Sequence, residues 1–170
     1  MTRIICGCCD EKTEEILGYF SEVEYCDPRL ILIVGFARIH TAIRDLVAQR
    51  ASRQTNGRKP AIFKTETSSL RRANVLDSSY YEFLRRLAAV RNTVCHRLTN
   101  KATLEQEPHW GDLVRMHELS SVAPVWPEPI HPADDMSKSA FAICIAGCLA
   151  VELDFEGQPR GFSALAGRFL

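Results

Sequence analysis

The residues of this chain with the clearest chemical potential lie in one short run, Arg91-Asn92-Thr93-Val94-Cys95-His96. An imidazole can accept or donate a proton near neutral pH, and a guanidinium can stabilise negative charge that develops on a phosphate. If the run is helical, Asn92 and His96 are four residues apart and share a face, so the amide can orient the imidazole. Arg91 and His96 are five apart, about 140° around the axis and about 7.5 Å along it. The two side chains can therefore contact the same phosphate only if they approach it from two edges of a shared cleft.

This pair has the groups needed to cleave RNA without a metal or any other cofactor. His96 can take the proton from a 2′-hydroxyl, which then attacks the adjacent phosphorus, while Arg91 stabilises the charge of the phosphorane. DNA lacks that hydroxyl and would not react. A purely structural interpretation remains open, with Arg91 as a surface cation, Asn92 as a capping or polar core group, and His96 as a histidine satisfied inside the fold.

The stretch from Leu84 to His96 resembles the R-x4-6-H signature of the HEPN superfamily (higher eukaryotes and prokaryotes nucleotide-binding), including the Asn that often follows the Arg. More loosely, Leu70 to Tyr81 is similar to the turn that enters this helix in mannitol-repressor-like members. The resemblance implies a helical domain that works as a homodimer, with two copies of the motif forming one composite site. It also implies that His96 is the acid or base, Arg91 the phosphate clamp and Asn92 the orienting group.

For function, the resemblance implies a HEPN-type endoribonuclease in toxin–antitoxin or antiviral defence or in RNA processing. Its partners would be RNA and a cognate antitoxin or regulatory protein, and Arg97 would be a further contact to the RNA backbone. A second interpretation stays open, a non-catalytic HEPN-like regulator or partner-binding module. Toxins of this family that are controlled by nucleotidylation carry a Tyr two positions after the His; because Leu98 stands there, that control is not expected.

Two helices must position the motif. Ser79 and Glu82 have capping-box spacing before an apolar-periodic run that ends near Leu98, which predicts a motif helix of about five turns. Asp27-Pro28 precedes a strongly apolar run, which predicts a long buried helix over Leu30 to Gln49. Weaker candidates to line the same cleft lie on that helix and can equally form an exposed polar stripe: Arg38, His40, Arg44 and Asp45.

The remaining pattern predicts a single all-α domain over residues 1–170, an irregular antiparallel helix bundle of about four main helices. The last residues, 157–170, give no clear signal. Four prolines predict a loop near 122–132. Further helical pieces are predicted at Glu11 to Glu24, Leu70 to Leu76, within Asn100 to Leu119, and at Met136 to Leu153, the last being the final helix.

Positive charge is concentrated in the middle of a chain whose formal net charge is zero. Residues 50–101 carry twelve Lys and Arg against three Asp and Glu, a local excess typical of polyanion binding. Asn56-Gly57 and Lys59-Pro60 predict a basic loop near 50–66. We take Arg53, Arg58 and Lys59 in this loop as candidate RNA contacts. The alternative is a solvated basic face balanced by acidic segments folded against it.

Seven cysteines form an odd set without a regular framework, which favours reduced thiols in the cytoplasm. Cys6, Cys8 and Cys9, which Cys26 could join, lack the paired C-x-x-C spacing of a structural zinc site, so no metal is predicted. No apolar run approaches the length of a membrane span, so no membrane partner is predicted either.

Overall fold

Helices make up almost all of the part of the chain that the structure describes. The structure is a computed structural model, and it describes residues 15–16, 18–20, 27–51, 62–96, 104–119, 135–153 and 157–169. The prediction of an all-α fold is confirmed, and no β-strand occurs in these ranges. The helices are α1 (Pro28–Ala51), α2 (Phe63–Arg72), α3 (Ser78–His96), a 3₁₀ turn (Leu104–Gln106), α4 (Trp110–Leu119), α5 (Asp135–Glu152) and α6 (Phe162–Phe169).

Helix α5 lies at the centre of the hydrophobic core. Every residue from Ala140 to Val151 is buried, and α1, α4 and α6 pack on this helix. Small residues allow α1 to approach closely. A Cβ atom at Gly35 would lie 2.6 Å from the Cβ of Cys144, and one at Gly147 would lie 2.7 Å from the Cδ1 of Ile39. Since close-packed interiors leave no room for such overlaps, both glycines set the separation of α1 and α5.

Helix α3 is tied to the same centre by a buried hydroxyl. Tyr80 is fully buried, and its hydroxyl donates a 2.6 Å hydrogen bond to the carbonyl oxygen of Gly147. The ring of Phe83 stacks on Tyr80 and makes an edge contact with Phe162, with centroids 4.6 Å apart. Burial raises the pKa of the Tyr80 hydroxyl well above its usual value, so it remains protonated and able to donate.

Ion pairs join helices at the periphery. Arg38 on α1 donates two hydrogen bonds of 2.8 Å to Glu152 at the end of α5, which raise the pKa of the guanidinium further. Arg86 on α3 pairs with Asp112 on α4. Arg38 therefore has a structural role, because it joins two helices. The sequence had left open that it lines the cleft beside the motif.

Three predicted boundaries need correction. The helix predicted at Leu70 to Leu76 lies earlier in the chain, at Phe63–Arg72, so residues 73–76 are not helical, whereas residues 50–51 and 63–66 of the predicted basic loop are. The inward spacing of Phe63, Glu66, Thr67 and Leu70 explains this, although polar residues separate them. The helix at Asp135–Glu152 is not the last one, since α6 follows. The predicted loop at 122–132 and the four N-terminal cysteines lie outside the described residues.

The remaining elements match their predictions where the structure describes them. Helix α1 begins at Pro28, and the side chain of Asp27 accepts a 2.9 Å hydrogen bond from the backbone N–H of Arg29. Residues 15–16 and 18–20 are helical. Within the described ranges no helix has both the length and the apolar character needed to cross a membrane.

The buried Tyr80 hydroxyl gives a test of this packing. We expect Tyr80→Phe to lower the free energy of unfolding by about 1–2 kcal/mol, because the Gly147 carbonyl loses a partner in a dry interior. The matched control is Tyr81→Phe on the half-buried side of α3. Its hydroxyl has only a long 3.3 Å hydrogen bond with the Ser68 hydroxyl, so we expect this change to alter the free energy of unfolding by less than about 0.5 kcal/mol. Urea unfolding of the three proteins measures both values. Equal effects of the two substitutions would contradict the role given to Tyr80.

Candidate active site

The helix that carries the motif begins at a fixed cap. The Oδ1 atom of Asp77 accepts hydrogen bonds from the backbone N–H of Tyr80 at 2.6 Å and from the Ser79 hydroxyl at 2.7 Å. Asp77 is therefore the N-cap, and the capping box predicted for Ser79 and Glu82 is wrong. Glu82 instead accepts hydrogen bonds from Arg85. An aspartate satisfies the free N–H groups of the first turn and also complements the helix dipole.

The buried stripe of α3 determines how the motif residues are exposed. Leu87, Val90 and Val94 are buried in the core. Arg91, next to Val90, is half-buried, whereas Asn92 and His96 are exposed. The motif thus lies on the border between the core-facing and solvent-facing sides of the last turns of α3.

Arg91 is held against an aromatic ring of α1. Its guanidinium carbon lies 5.5 Å from the centre of the Phe36 ring, within cation–π range. Its Nη1 atom donates a 3.1 Å hydrogen bond to the Oδ1 atom of Asn92. Its Nε atom is buried and has no hydrogen-bond partner among the described residues. The guanidinium is therefore positioned, while part of its donor capacity is unused.

His96 is the opposite case. Its side chain is exposed at the end of α3, and it forms no hydrogen bond or ion pair with any residue in the described ranges. The Asn92 amide contacts Arg91 in the single chain, so the orienting role expected from its spacing to His96 stays a prediction. An unengaged imidazole is free to contact a molecule bound from outside.

A second group of polar residues lies next to Phe36, the ring that Arg91 contacts, and only one of its two members was predicted from the sequence. His40 on α1 was one of the weaker candidates, and its Nε2 atom lies 3.4 Å from the Oε2 atom of Glu66 on α2. Glu66 was not predicted, because its segment was assigned to the basic loop. Its helical spacing to Phe63 and Leu70 was the available signal. Arg44 and Asp45, the other candidates on α1, are exposed.

The predicted RNA contacts Arg53, Arg58, Lys59 and Arg97 lie outside the described residues. Other basic side chains of the same segment are exposed in the structure: Arg50, Lys64, Arg71, Arg72 and Arg85. Helices α2 and α3 therefore carry surface positive charge, and that of Arg71 lies over Tyr81 near the start of α3. No group of three or more His, Cys, Asp or Glu side chains in the described ranges is arranged to hold a metal ion.

In comparisons with known proteins, no family model, no curated protein and no solved structure matches this chain.

The cap on α3 gives a second test. We expect Asp77→Ala to lower the free energy of unfolding by about 1–2 kcal/mol, because the N–H of Tyr80 loses its acceptor. Asp77→Asn keeps an oxygen acceptor at the same place and should cost clearly less. Thermal or urea unfolding measures the difference. If the Asn variant were as unstable as the Ala variant, capping by the side-chain oxygen would not be what Asp77 contributes.

Proposed function

We propose that this chain is a metal-independent endoribonuclease of HEPN type that acts as a homodimer. The observation that supports it best is the arrangement of the two ends of the motif. Arg91 is fixed against Phe36 with unused donor capacity, and His96 is exposed without a partner in the described ranges. One positioned cation and one free acid–base group are the minimum that phosphoryl transfer from RNA requires.

The proposed reaction begins at the 2′-hydroxyl of the RNA. The imidazole of His96 accepts its proton, and the oxygen attacks the adjacent phosphorus. Arg91 stabilises the additional negative charge on the phosphorane through its free N–H donors. The products are a 2′,3′-cyclic phosphate and a 5′-hydroxyl.

The positions of the Arg91 and His96 side chains favour a composite site. In one chain Arg91 faces α1, whereas His96 lies on the solvent side, about 140° further around the helix. A second copy related by a twofold axis would bring its own His96 near Arg91 of the first. The expectation of a homodimer from the motif resemblance agrees with this geometry.

The charge distribution supports RNA as the substrate. The excess of positive charge in residues 50–101 surrounds the motif in sequence, and several of these side chains are exposed on α2 and α3. Phosphate contacts of this kind position a nucleic acid without reading its sequence. A cytoplasmic toxin or antiviral nuclease, controlled by a cognate antitoxin or regulatory protein, is the setting that we propose for this activity.

One observation favours the non-catalytic alternative. Arg91 already contacts Phe36 and Asn92, so it could serve only to hold α3 on α1. In that case the chain would be a HEPN-like binding or regulatory module. Mutation of Arg91 distinguishes the nuclease from the binding module, since loss of a structural arginine lowers stability and loss of a catalytic one lowers the rate of cleavage.

The central prediction concerns His96 and Arg91. We expect His96→Ala and Arg91→Ala each to reduce RNA cleavage by at least about 100-fold, because acid–base and electrostatic contributions are individually of that size. Asn92→Ala should cost less than either. Cleavage of a mixed RNA substrate by purified protein, with and without EDTA, measures the rates.

The matched control is His109→Ala, the same change at a partly exposed histidine outside the motif. It should leave the rate unchanged. Cleavage that requires a metal, or that survives in a folded His96→Ala protein, would remove the proposal and favour the binding module.

A mixing experiment tests the composite site. Heterodimers of one Arg91→Ala chain and one His96→Ala chain retain one intact pair if each site takes its two groups from different chains. We expect such heterodimers, purified with two different tags, to regain about half of the wild-type activity, because a twofold dimer has two equivalent sites. Both parent homodimers should stay inactive. Inactive heterodimers, or a monomeric wild-type protein, would contradict a site shared between chains.

A further inference from the structure

His40 and Glu66 form a second pair of titratable side chains close to the motif. The Nε2 atom of His40 and the Oε2 atom of Glu66 are 3.4 Å apart, near enough for an ion pair but without a hydrogen bond between them. The Glu66 side chain is only 5% exposed, whereas the His40 side chain is 34% exposed. The carboxylate is therefore inside the protein, and the imidazole connects it to the surface.

This pair and Arg91 share the same aromatic surroundings. The imidazole centre lies 5.0 Å from the ring centre of Phe63 and 6.1 Å from that of Phe36. The guanidinium of Arg91 lies 5.5 Å from the centre of the same Phe36 ring. The Phe36 ring of α1 is thus a common neighbour of the His40 imidazole and the Arg91 guanidinium, and Glu66 of α2 reaches the same region through His40.

Most of the unsatisfied buried polar atoms are in this cluster. In the described ranges four buried side-chain atoms have no hydrogen-bond partner, and three of them are His40 Nε2, Glu66 Oε2 and Arg91 Nε. Leaving such atoms without partners is costly, and folded proteins seldom do so unless the group serves a further purpose. Two of the three, His40 Nε2 and Glu66 Oε2, face each other at ion-pair distance, and the third belongs to the Arg91 side chain that contacts Phe36. The cluster therefore keeps unused hydrogen-bonding capacity.

We propose that His40 is a second acid–base residue of the ribonuclease site, positioned by Glu66. This inference rests on the proposed function, and it adds the group that protonates the leaving oxygen. The proton of the 2′-hydroxyl passes to His96, and a new bond forms between O2′ and phosphorus. The bond between phosphorus and O5′ breaks, and O5′ takes a proton from the imidazolium of His40. No other reactant is needed.

The geometry favours His40 as the acid and His96 as the base. The buried nitrogen of His40 is Nε2, which faces Glu66, so Nδ1 is the nitrogen left to face the surface. The Glu66 side chain lies 3.4 Å from Nε2, so it can hold the ring with Nδ1 towards a bound RNA. After the transfer, the remaining proton on Nε2 still faces Glu66. His96 has no acidic partner in the described ranges, so no carboxylate there fixes its ring.

The test uses two RNA substrates that differ in one atom. The first has the ordinary 5′-oxygen at the scissile phosphate, and the second has sulfur there, which leaves as a thiolate without being protonated. On the oxygen substrate we expect His40→Ala to be at least about 100-fold slower than wild type. On the sulfur substrate we expect it to approach the wild-type rate. His96→Ala should be slow on both, because both need removal of the 2′-proton.

Glu66→Gln tests the positioning role. This change removes the charge and keeps the shape of the side chain, so it should give a smaller loss with the same preference for the sulfur substrate. A carboxylate that only stabilises the fold would slow both substrates equally. His109→Ala is again the control and should leave both rates unchanged. If His40→Ala does not fold, His40→Gln keeps a polar side chain of similar size without an acid and is expected to give the same pattern.

The outcomes distinguish a failure of the role inferred for His40 from a failure of the proposed ribonuclease function. If the wild-type protein cleaves neither substrate, the ribonuclease proposal fails and this inference fails with it. If cleavage depends on His96 while His40→Ala is fully active on the oxygen substrate, the ribonuclease proposal stands and the role of His40 is overturned. An equal loss by His40→Ala on both substrates likewise overturns it, since that pattern indicates binding or folding.

Discussion

The complete burial of helix α5 is the constraint on which the rest of the structure depends. A helix that is buried along Ala140 to Val151 must be covered on all sides, and in the described ranges α1, α4 and α6 pack on it. Gly35 and Gly147 let α1 approach it closely, and the hydroxyl of Tyr80 fixes α3 to it. The relative positions of α1 and α3 follow from their separate contacts with α5 and with each other.

That arrangement divides the motif between two environments. Because α3 is held beside α1, Arg91 meets Phe36 and loses part of its contact with water, whereas His96 remains exposed beyond the core stripe. A cation that is already positioned loses little freedom when a phosphate arrives, which is how preorganised charge contributes to catalysis. The exposed imidazole has no such support within the described part of the chain. This difference is the physical reason why a second copy, or a bound RNA, is central to the proposed function.

The same packing creates the cluster of His40, Glu66 and Arg91. Helix α2 lies against both α1 and α3, so it places a buried carboxylate where the other two helices supply an imidazole and a guanidinium. None of the three is fully satisfied by its neighbours. His40 and Glu66 are at ion-pair distance from each other, and a partly buried ion pair is often no more stabilising than apolar residues of similar size. Their presence supports an account in which the site has more than two functional residues.

Apolar periodicity was enough to predict the helices that build the core. Helices α1, α3, α4 and α5 each have a continuous apolar face or an apolar run, and their existence followed from the sequence. Helix α2 was misplaced, because Phe63 and Leu70 are separated by polar residues and one of the inward positions is the charged Glu66. Helix α6 is short and gave no signal of its own; it is stabilised by tertiary contacts such as that between Phe162 and Phe83.

The sequence predicted only those site residues that lie together on one helix. Arg91, Asn92 and His96 are neighbours in sequence, so their spacing could be interpreted directly. The pairing of His40 with Glu66 and of Arg91 with Phe36 joins residues from different helices. No periodicity within one segment can show such contacts, because they depend on how α1, α2 and α3 pack. The cap at Asp77 was missed for a related reason, since Ser79 and Glu82 offered an equally regular local pattern.

The measurement that tests the central claim most directly is the chemistry of the RNA ends. An RNA with a single preferred cleavage position would be treated with the purified protein in EDTA, and a second RNA with one 2′-deoxyribose at that position would be treated in parallel. The account predicts a 2′,3′-cyclic phosphate and a 5′-hydroxyl from the first and no cleavage at the modified position of the second, since the 2′-oxygen is the nucleophile. A 5′-phosphate product, or cleavage next to the deoxyribose, would contradict it.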